Sequence, residues 1–273
     1  MEGVLRTPLG LHVLKDDWIL SRWVEQEGRL DRGLDEVRLI APYLSEGAVV
    51  VNAGASLGDH ACIYSQVVGV TGHVYAYEPH PLAFHALQRN MARFNNVTVS
   101  SLGLGDVDDE QVILFQAPDQ GCSCVMTPDV LEAAARMKPQ FGGEVFPMTK
   151  APITLTTLDT HLLPRLNRCD LLHLDAEGLE PRILKGATAL LAKFRPLLVL
   201  EMWPGHLARW GITPLQFEHM LDYLGYVRWV LNTVEIDLGE GLPDTPAINV
   251  IAFPKEKVDG PAIPVPSHAI LVK

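Results

Sequence analysis

Residues 49–60 read VVVNAGASLGDH, and this stretch decides the fold class of the chain. The apolar run at its start is typical of a buried strand. Gly54 and Gly58 then bracket a turn with Ser56 between them, and glycine is favoured where the backbone takes positive φ or approaches a ligand closely. A helix opening at Gly58–Asp59 presents free N–H groups to a negatively charged ligand. The stretch predicts a ligand-binding strand, turn and helix, although many α/β folds use the same small residues for packing alone.

The next predicted strand narrows the choice of ligand. It ends in Glu78, and 78 − 58 gives the spacing of 20 residues at which an acid accepts hydrogen bonds from ribose hydroxyls. Asp106, after the third strand, is placed to receive an adenine amino group. The turn is G-x-x-x-G and lacks the full fingerprint that cradles a pyrophosphate. These features favour S-adenosylmethionine (SAM) over a dinucleotide, and a nicotinamide-dependent oxidoreductase is the weakest alternative.

Outward from this unit, short apolar runs alternate with helical patterns, as in βαβ units of a parallel sheet. The last two strands have no clear helix between them, which predicts an antiparallel member near the C-terminal edge. The fold class is therefore α/β, with a doubly wound, mostly parallel, Rossmann-like sheet. We predict strands at 48–53, 73–78, 97–102, 111–116, 169–176, 195–203, 225–232 and 248–254, and helices at 59–68, 80–94, 158–166, 178–192 and 213–223.

The domain organisation follows from where this alternation begins, pauses and ends. Residues 1–45 are predicted to be an N-terminal helical lead-in, 46–254 the SAM-binding domain, and 255–273 a C-terminal tail. Residues 117–152 interrupt the pattern with a Gly-, Pro- and Met-rich insertion that includes one helical stretch. Long loops of this kind are usually functional, so we expect a lid with Met126 facing the acceptor, with an ordered surface decoration as the alternative.

Composition limits the classes of partner. The formal net charge is −11 and the basic residues are scattered, which argues against a nucleic-acid partner. No apolar run approaches the roughly 20 residues of a membrane span, and the N-terminus does not resemble a secretory signal, so we expect a cytoplasmic protein without a membrane partner. The four cysteines lack metal-site spacing, which predicts reduced thiols and no metal. A homodimer is left open.

The reacting end is expected where the carboxyl ends of the parallel strands meet. Asp175 and Glu177 follow one strand there, and we expect one of them to hold or deprotonate the acceptor while the other anchors the turn into the next helix. His173 lies on the same strand as a further catalytic candidate, with a core role as the alternative. Glu201 and His206, at the end of the next strand, are candidate substrate contacts.

Five segments resemble the FkbM family of methyltransferases over roughly 30–255. They are VVVNAGASLGDH, GHVYAYEPHPLAFHALQRNMARFN, LGLGD, TLTTLD and DLLHLDAEGLEPRILKGATALLAKFRPLLVLEM, of which the last is the most specific. The resemblance implies a class I methyltransferase fold and, usually, O-methyl transfer to a hydroxyl of a natural product or saccharide. An N-methyltransferase on an amine or peptide, or a catalytically silent SAM-binding protein, are the alternatives.

The chain departs from the family pattern at two positions. The family usually carries Asp where this chain has Asn52, and Lys where it has His173. Asn52 can still accept a hydrogen bond near the methionine end of the cofactor, but it supplies no charge. His173 places a different proton-transfer group near Asp175, and His60, in the first turn after Gly58, is expected on the side of the cofactor pocket.

Overall fold

A computed structural model describes residues 3–15, 17, 19–116, 123–125, 149–231, 248–258 and 270–271. The described chain begins with a hairpin, in which β1 (Val4–Arg6) pairs antiparallel with β2 (His12–Leu14). Helices α1 (Leu20–Glu27) and α2 (Leu34–Ile40) follow, and a 3₁₀ turn spans Ala41–Tyr43. The two helices fall inside the predicted helical lead-in. The hairpin was not predicted, because strands of three residues are too short to show a period of two.

The remaining strands form two sheets. The larger has eight strands in the order β14-β12-β13-β11-β10-β3-β4-β5. Strands β11, β10, β3, β4 and β5 are parallel, whereas β13 pairs antiparallel with both β11 and β12. This topology confirms the predicted doubly wound α/β class with antiparallel strands at one edge. The strands are β3 (Val49–Ala53), β4 (His73–Tyr77), β5 (Val97–Ser100), β6 (Gly103–Leu104), β7 (Glu110–Gln116), β8 (Cys124–Val125), β9 (Thr149–Thr156), β10 (Leu171–Leu174), β11 (Leu197–Met202), β12 (Tyr226–Leu231), β13 (Ile248–Pro254) and β14 (Ile270–Leu271).

Helices cover both faces of the large sheet, because alternate residues of each buried strand point to opposite faces. Val50 and Leu171 belong to one apolar layer with α1, α2 and the next two helices, whereas Val51 and Leu172 pack in the other layer with the later helices. The helix predicted at 178–192 is divided, since Gly186 ends its first half. The remaining helices are α3 (Asp59–Val67), α4 (Pro81–Met91), α5 (Leu158–His161), α6 (Glu180–Lys185), α7 (Thr188–Phe194), α8 (Pro204–Ala208), α9 (Pro214–Tyr223) and α10 (Lys255–Val258).

The smaller sheet has the order β6-β9-β7-β8 and lies outside the doubly wound series. Its long pair is β7 with β9, antiparallel from Glu110–Leu155 to Gln116–Thr149. Strand β9 was not predicted, and its first four residues occupy the end of the predicted insertion. Residues 117–122 and 126–148 of that insertion, including Met126, lie outside the described residues. The lid therefore stays a prediction.

Among the residues that the structure describes, no helix has both the length and the apolar character needed to cross a membrane.

Candidate active site

The turn after β3 is held between two neighbouring strands. The N–H groups of Gly54 and Ala55 both donate to the carbonyl oxygen of Tyr77, at 3.0 and 2.9 Å. Gly54 has φ 76°, and a Cβ at this position would lie 1.7 Å from the carbonyl oxygen of Asp175. Glycine is thus required here by the close approach of the chain leaving β10. Gly58 has φ 98° and precedes the first residue of α3.

Glu78 lies at the tip of β4 and faces this turn, as predicted for the ribose contact. One carboxylate oxygen accepts the Ser56 N–H at 2.8 Å, and the other accepts the His80 N–H at 2.8 Å. An ionised carboxylate has about four acceptor positions, so capacity remains for ligand hydroxyls. The side chain is buried, and burial raises the pKa of Glu78 to about 7.

Asn52 is buried on β3, next to His173 of β10 in the strand register. Its side-chain oxygen has no hydrogen-bond partner among the described residues. A buried acceptor without a donor costs free energy unless a ligand or water supplies one. The position therefore fits a ligand that brings an N–H or ammonium donor to the end of β3.

Asp106, the predicted adenine contact, lies beside a guanidinium group. Arg182 of α6 donates to the Asp106 carboxylate at 2.5 Å and also to Glu110. The same guanidinium lies 5.0 Å from the ring centre of Trp210. Asp106, still only a predicted cofactor contact, thus has a neutralising partner that the sequence did not indicate.

The structure brings together Glu177 and Glu201, two of the predicted acids of the reacting end. Glu177 follows β10 in a left-handed conformation, φ 55°, and Gly178 continues it with φ 97°. This turn places a Glu177 carboxylate oxygen 3.1 Å from Nδ1 of His206. A carboxylate oxygen of Glu201, on β11, lies 3.8 Å from the same nitrogen. Two acids and an imidazole, from the turn after β10, from β11 and from α8, therefore converge at the carboxyl edge of the sheet.

Burial dominates the electrostatics of this group. It raises the pKa of Glu177 well above the usual range, and the charges of Glu201 and Asp175 add to the effect. Burial also raises the pKa of Glu201, with Asp175 as the next contributor. The pKa of His206 falls to about 3, through burial and the nearby charge of Arg209. At neutral pH the imidazole is neutral, and each of the two carboxyls holds a proton more strongly than an exposed carboxyl does.

His173 is separated from this group and contacts a second one. Its Nδ1 lies 3.0 Å from the Tyr64 hydroxyl, and its Nε2 lies 3.3 Å from a Glu36 carboxylate oxygen. Burial lowers its pKa well below the usual value, with the charge of His60 as the second cause. The charge of Asp175 acts on both groups, as it raises the pKa of Glu36 and of Glu177.

Sequence reasoning missed two acids. The Glu180 carboxylate accepts the Ala176 N–H at 2.7 Å, and so supplies the turn anchor that we expected from Asp175 or Glu177. Burial raises the pKa of Glu180 to about 8. Its place in the Asp-x-Glu-Gly-x-Glu motif was the available signal. Glu36 had no such signal, because α2 reaches the sheet only through tertiary packing.

A family model described as the methyltransferase FkbM domain matches residues 52–229, more than half of the chain. The chain belongs to the FkbM methyltransferase family. Membership confirms the predicted family, the class I fold and SAM as the cofactor. The FkbM match begins at Asn52 itself and ends in β12, so it contains every predicted site residue.

Other relatives of this FkbM family member are methyltransferases. A protein-L-isoaspartate O-methyltransferase from Methanothrix thermoacetophila is 32% identical over 108 residues, which are 38% of this chain and 49% of that protein. The chain thus spans about half the length of the curated relative it matches. The crystal structure of methyltransferase FkbM from Methylobacillus flagellatus KT has a TM-score of 0.48 and 16% identity, covering 77% of this chain and 44% of that one. A SAM dependent methyltransferase from Aquifex aeolicus has a TM-score of 0.43 and 14% identity, covering 84% and 96%.

Proposed function

We propose that this protein transfers the methyl group of SAM to a hydroxyl of a small-molecule natural product or a saccharide. The observation that carries the proposal is the convergence of Glu177, Glu201 and His206 at the carboxyl edge of the sheet, with Glu177 3.1 Å from the imidazole. This edge also carries the residues predicted to bind the cofactor. Ligands of doubly wound sheets bind at this edge, so both substrates would meet there.

The residues present fit the cofactor. Glu78 keeps acceptor capacity for ribose hydroxyls, and the buried oxygen of Asn52 lacks a donor that an ammonium group would supply. Bound SAM would supply an electrophilic methyl group on a sulfonium sulfur. The chain's own residues would hold the acceptor oxygen in line with that group, and such positioning accounts for much of the rate of enzymatic group transfer.

The acids would handle the proton of the acceptor. A neutral hydroxyl is a weak nucleophile, and a positioned base that removes its proton contributes about 10²- to 10⁴-fold. Glu177 and Glu201 are buried, and each has a raised pKa. A carboxylate with a raised pKa is a stronger base once ionised. Glu177 would accept the hydroxyl proton beside the neutral imidazole of His206, 3.1 Å away.

Two features narrow the chemical class of the acceptor. The curated relative's name specifies O-methyl transfer, which favours an oxygen over a nitrogen nucleophile. The net charge of −11 disfavours a polyanionic acceptor such as nucleic acid. N-methylation and silent SAM binding are outcomes that the following test separates from the proposal.

The test measures release of S-adenosylhomocysteine with matched panels of sugars, hydroxylated natural products, amines and peptides. Calorimetry on the same preparation establishes whether SAM binds. We expect SAM to bind and turnover to require a hydroxyl acceptor. Turnover with amines alone would contradict the proposal in favour of N-methylation, and SAM binding without turnover on any panel would support the silent protein.

A further inference from the structure

Two imidazoles and a carboxylate converge in a second group, separate from the one to which the proposed proton transfer is assigned. They belong to Glu36 on α2, His60 on α3 and His173 on β10. Oε1 of Glu36 lies 3.3 Å from Nε2 of His173 and 3.9 Å from Nε2 of His60. The three ligand atoms all lie within 4.8 Å of one another. The two rings are perpendicular, with their centres 4.6 Å apart.

The outer atoms of the same side chains already have partners. Nδ1 of His60 lies 3.4 Å from a carboxylate oxygen of Asp59, and Nδ1 of His173 lies 3.0 Å from the Tyr64 hydroxyl. The second carboxylate oxygen of Glu36 accepts from the Asn249 side chain at 3.0 Å. Each outer contact orients its side chain so that the inner atom points at the common centre.

Two of the three inner atoms, by contrast, are left without hydrogen bonds. Oε1 of Glu36 and Nε2 of His60 are both buried, and neither has a hydrogen-bond partner among the described residues. Leaving one buried polar atom unsatisfied costs about 1–3 kcal/mol. Two such atoms aimed at one point indicate an occupant that the protein chain does not itself provide.

The chemistry and spacing of these atoms match a transition metal. Neutral imidazole and carboxylate are ligands for zinc and other first-row transition metals. The second ring nitrogen of a metal-bound histidine usually contacts a carboxylate or another hydrogen-bonding group. Zinc lies about 2.0–2.2 Å from such ligands, so two ligands of one ion are at most about 4.3 Å apart. The two distances from the carboxylate oxygen, 3.3 and 3.9 Å, meet this limit, and the two imidazole nitrogens lie within 4.8 Å of each other.

We propose that Glu36, His60 and His173 bind one divalent transition metal ion, with Zn²⁺ as the best match, through Oε1 and the two Nε2 atoms. The ion would tie α2 to the sheet and to the helix that follows the cofactor turn. Glu36 lies outside the segment that matches the FkbM family. His173 stands where the family pattern has lysine, so the site is a feature of this chain.

A proton is the competing occupant. If Nε2 of His60 were protonated, the imidazolium would pair with Asp59 and Glu36, whose charges raise the pKa of His60 to about 9 although burial opposes them. Titration with zinc distinguishes a bound proton from a bound zinc ion. If the site takes zinc, one ion should bind per chain and protons should be released. If a proton is the only occupant, the protein should show no stoichiometric zinc binding.

The experiment uses the full chain, stripped with a chelator and titrated with Zn²⁺ by calorimetry, with the melting temperature measured in parallel. We expect one ion per chain and a higher melting temperature with zinc. Glu36→Gln, His60→Asn and His173→Asn should each weaken zinc binding by at least about 100-fold, beyond the range seen for loss of an outer partner. His219→Asn, which changes an exposed histidine of α9, is the matched control and should bind zinc normally.

X-ray absorption of the zinc-loaded wild type covers the case in which the variants fail to fold. Two imidazole ligands with oxygen would support the site. A single imidazole would overturn it and place the ion at Glu177, Glu201 and His206, which offer only one histidine. Absence of stoichiometric zinc binding, or unchanged binding in all three variants, would overturn it as well. None of these results depends on methyl transfer.

Discussion

The carbonyl oxygen of Asp175 occupies the space that a side chain at Gly54 would need. The distance from that oxygen to an ideal Cβ on residue 54 is 1.7 Å, far inside any tolerated contact. The glycine of the cofactor turn is therefore required by the chain that leaves β10 towards Glu177, the proposed base. The turn and the proposed acceptor site thus meet at one backbone crossing.

We expect Gly54→Ala to destabilise the protein by more than about 3 kcal/mol, because the methyl group must push β10 away from β3. Gly211→Ala is the matched control. Gly211 also has positive φ, 66°, but nothing lies within 4 Å of its Cβ position, so only the left-handed backbone penalty of about 1–2 kcal/mol remains. Chemical denaturation of both variants measures the difference, and equal losses would show that the crossing is not tight.

Glu78→Ala should weaken SAM binding by about 10- to 100-fold, since hydrogen bonds to a charged group contribute about 1.5–3 kcal/mol. Calorimetry measures the affinity. Glu25→Gln, which alters an exposed acid on α1, should leave the affinity unchanged. An unaltered affinity in Glu78→Ala would remove this residue from the cofactor site.

Glu78 should make the unfolding free energy of the ligand-free protein decrease as the pH rises. Burial raises the folded pKa of Glu78 to about 7 from an ordinary value of 4.5, so its favourable contribution is complete below pH 4.5 and is lost as the pH rises through about 7. Relative to Glu78→Gln, the wild type should therefore lose up to about 3 kcal/mol of unfolding free energy between pH 4.5 and about pH 8. Parallel pH profiles for the two proteins would contradict the assignment.

Glu177→Gln keeps the shape of the side chain and removes its proton-accepting charge. We expect kcat to fall by at least about 100-fold while SAM affinity stays normal, because the base acts on the acceptor and not on the cofactor. Glu25→Gln again provides the control, now for turnover. Normal turnover in Glu177→Gln would direct the search for the base to Glu201.

Tyr64→Phe removes the hydroxyl that contacts Nδ1 of His173 while leaving the ring in place. The proposed metal site then predicts a loss of about 10- to 100-fold in zinc affinity, the usual effect of losing an outer partner. Tyr223→Phe, at a tyrosine that is 91% exposed, should bind zinc like the wild type. Calorimetry with chelator-treated protein compares the two.

The strands of the large sheet, apart from the two-residue β14, could be predicted because each has its own run of apolar residues. Those predictions agree with the structure to within two residues at each end. The sequence pattern does not predict strands that have only two or three residues, or strands that are specified mainly by a partner strand distant in the chain. The hairpin strands have three residues each, and β9 is specified by its partner β7 more than by its own alternation.

In the candidate site, too, some contacts could be predicted from the sequence and others could not. Glu177, Glu201 and His206 could be placed together, because parallel strands end at one edge and their followers must be neighbours. The contact of His173 with Glu36 could not, since it joins a strand to a helix that is distant in the chain. Nothing in the sequence states which face of α2 meets the sheet at that point.

The position of Glu36 affects where the chain can be truncated to make a stable fragment. A fragment trimmed to the family-matched segment, 52–229, would retain both buried imidazoles, of His60 and His173, and discard the acid that faces them. The excised piece would keep Asp59 beside His60 and Tyr64 beside His173, but it would lack Glu36 between the two rings, and α3 would lose the helix α2 that packs against it. We therefore expect a fragment that keeps this contact to begin upstream of the family-matched segment, at or before α2.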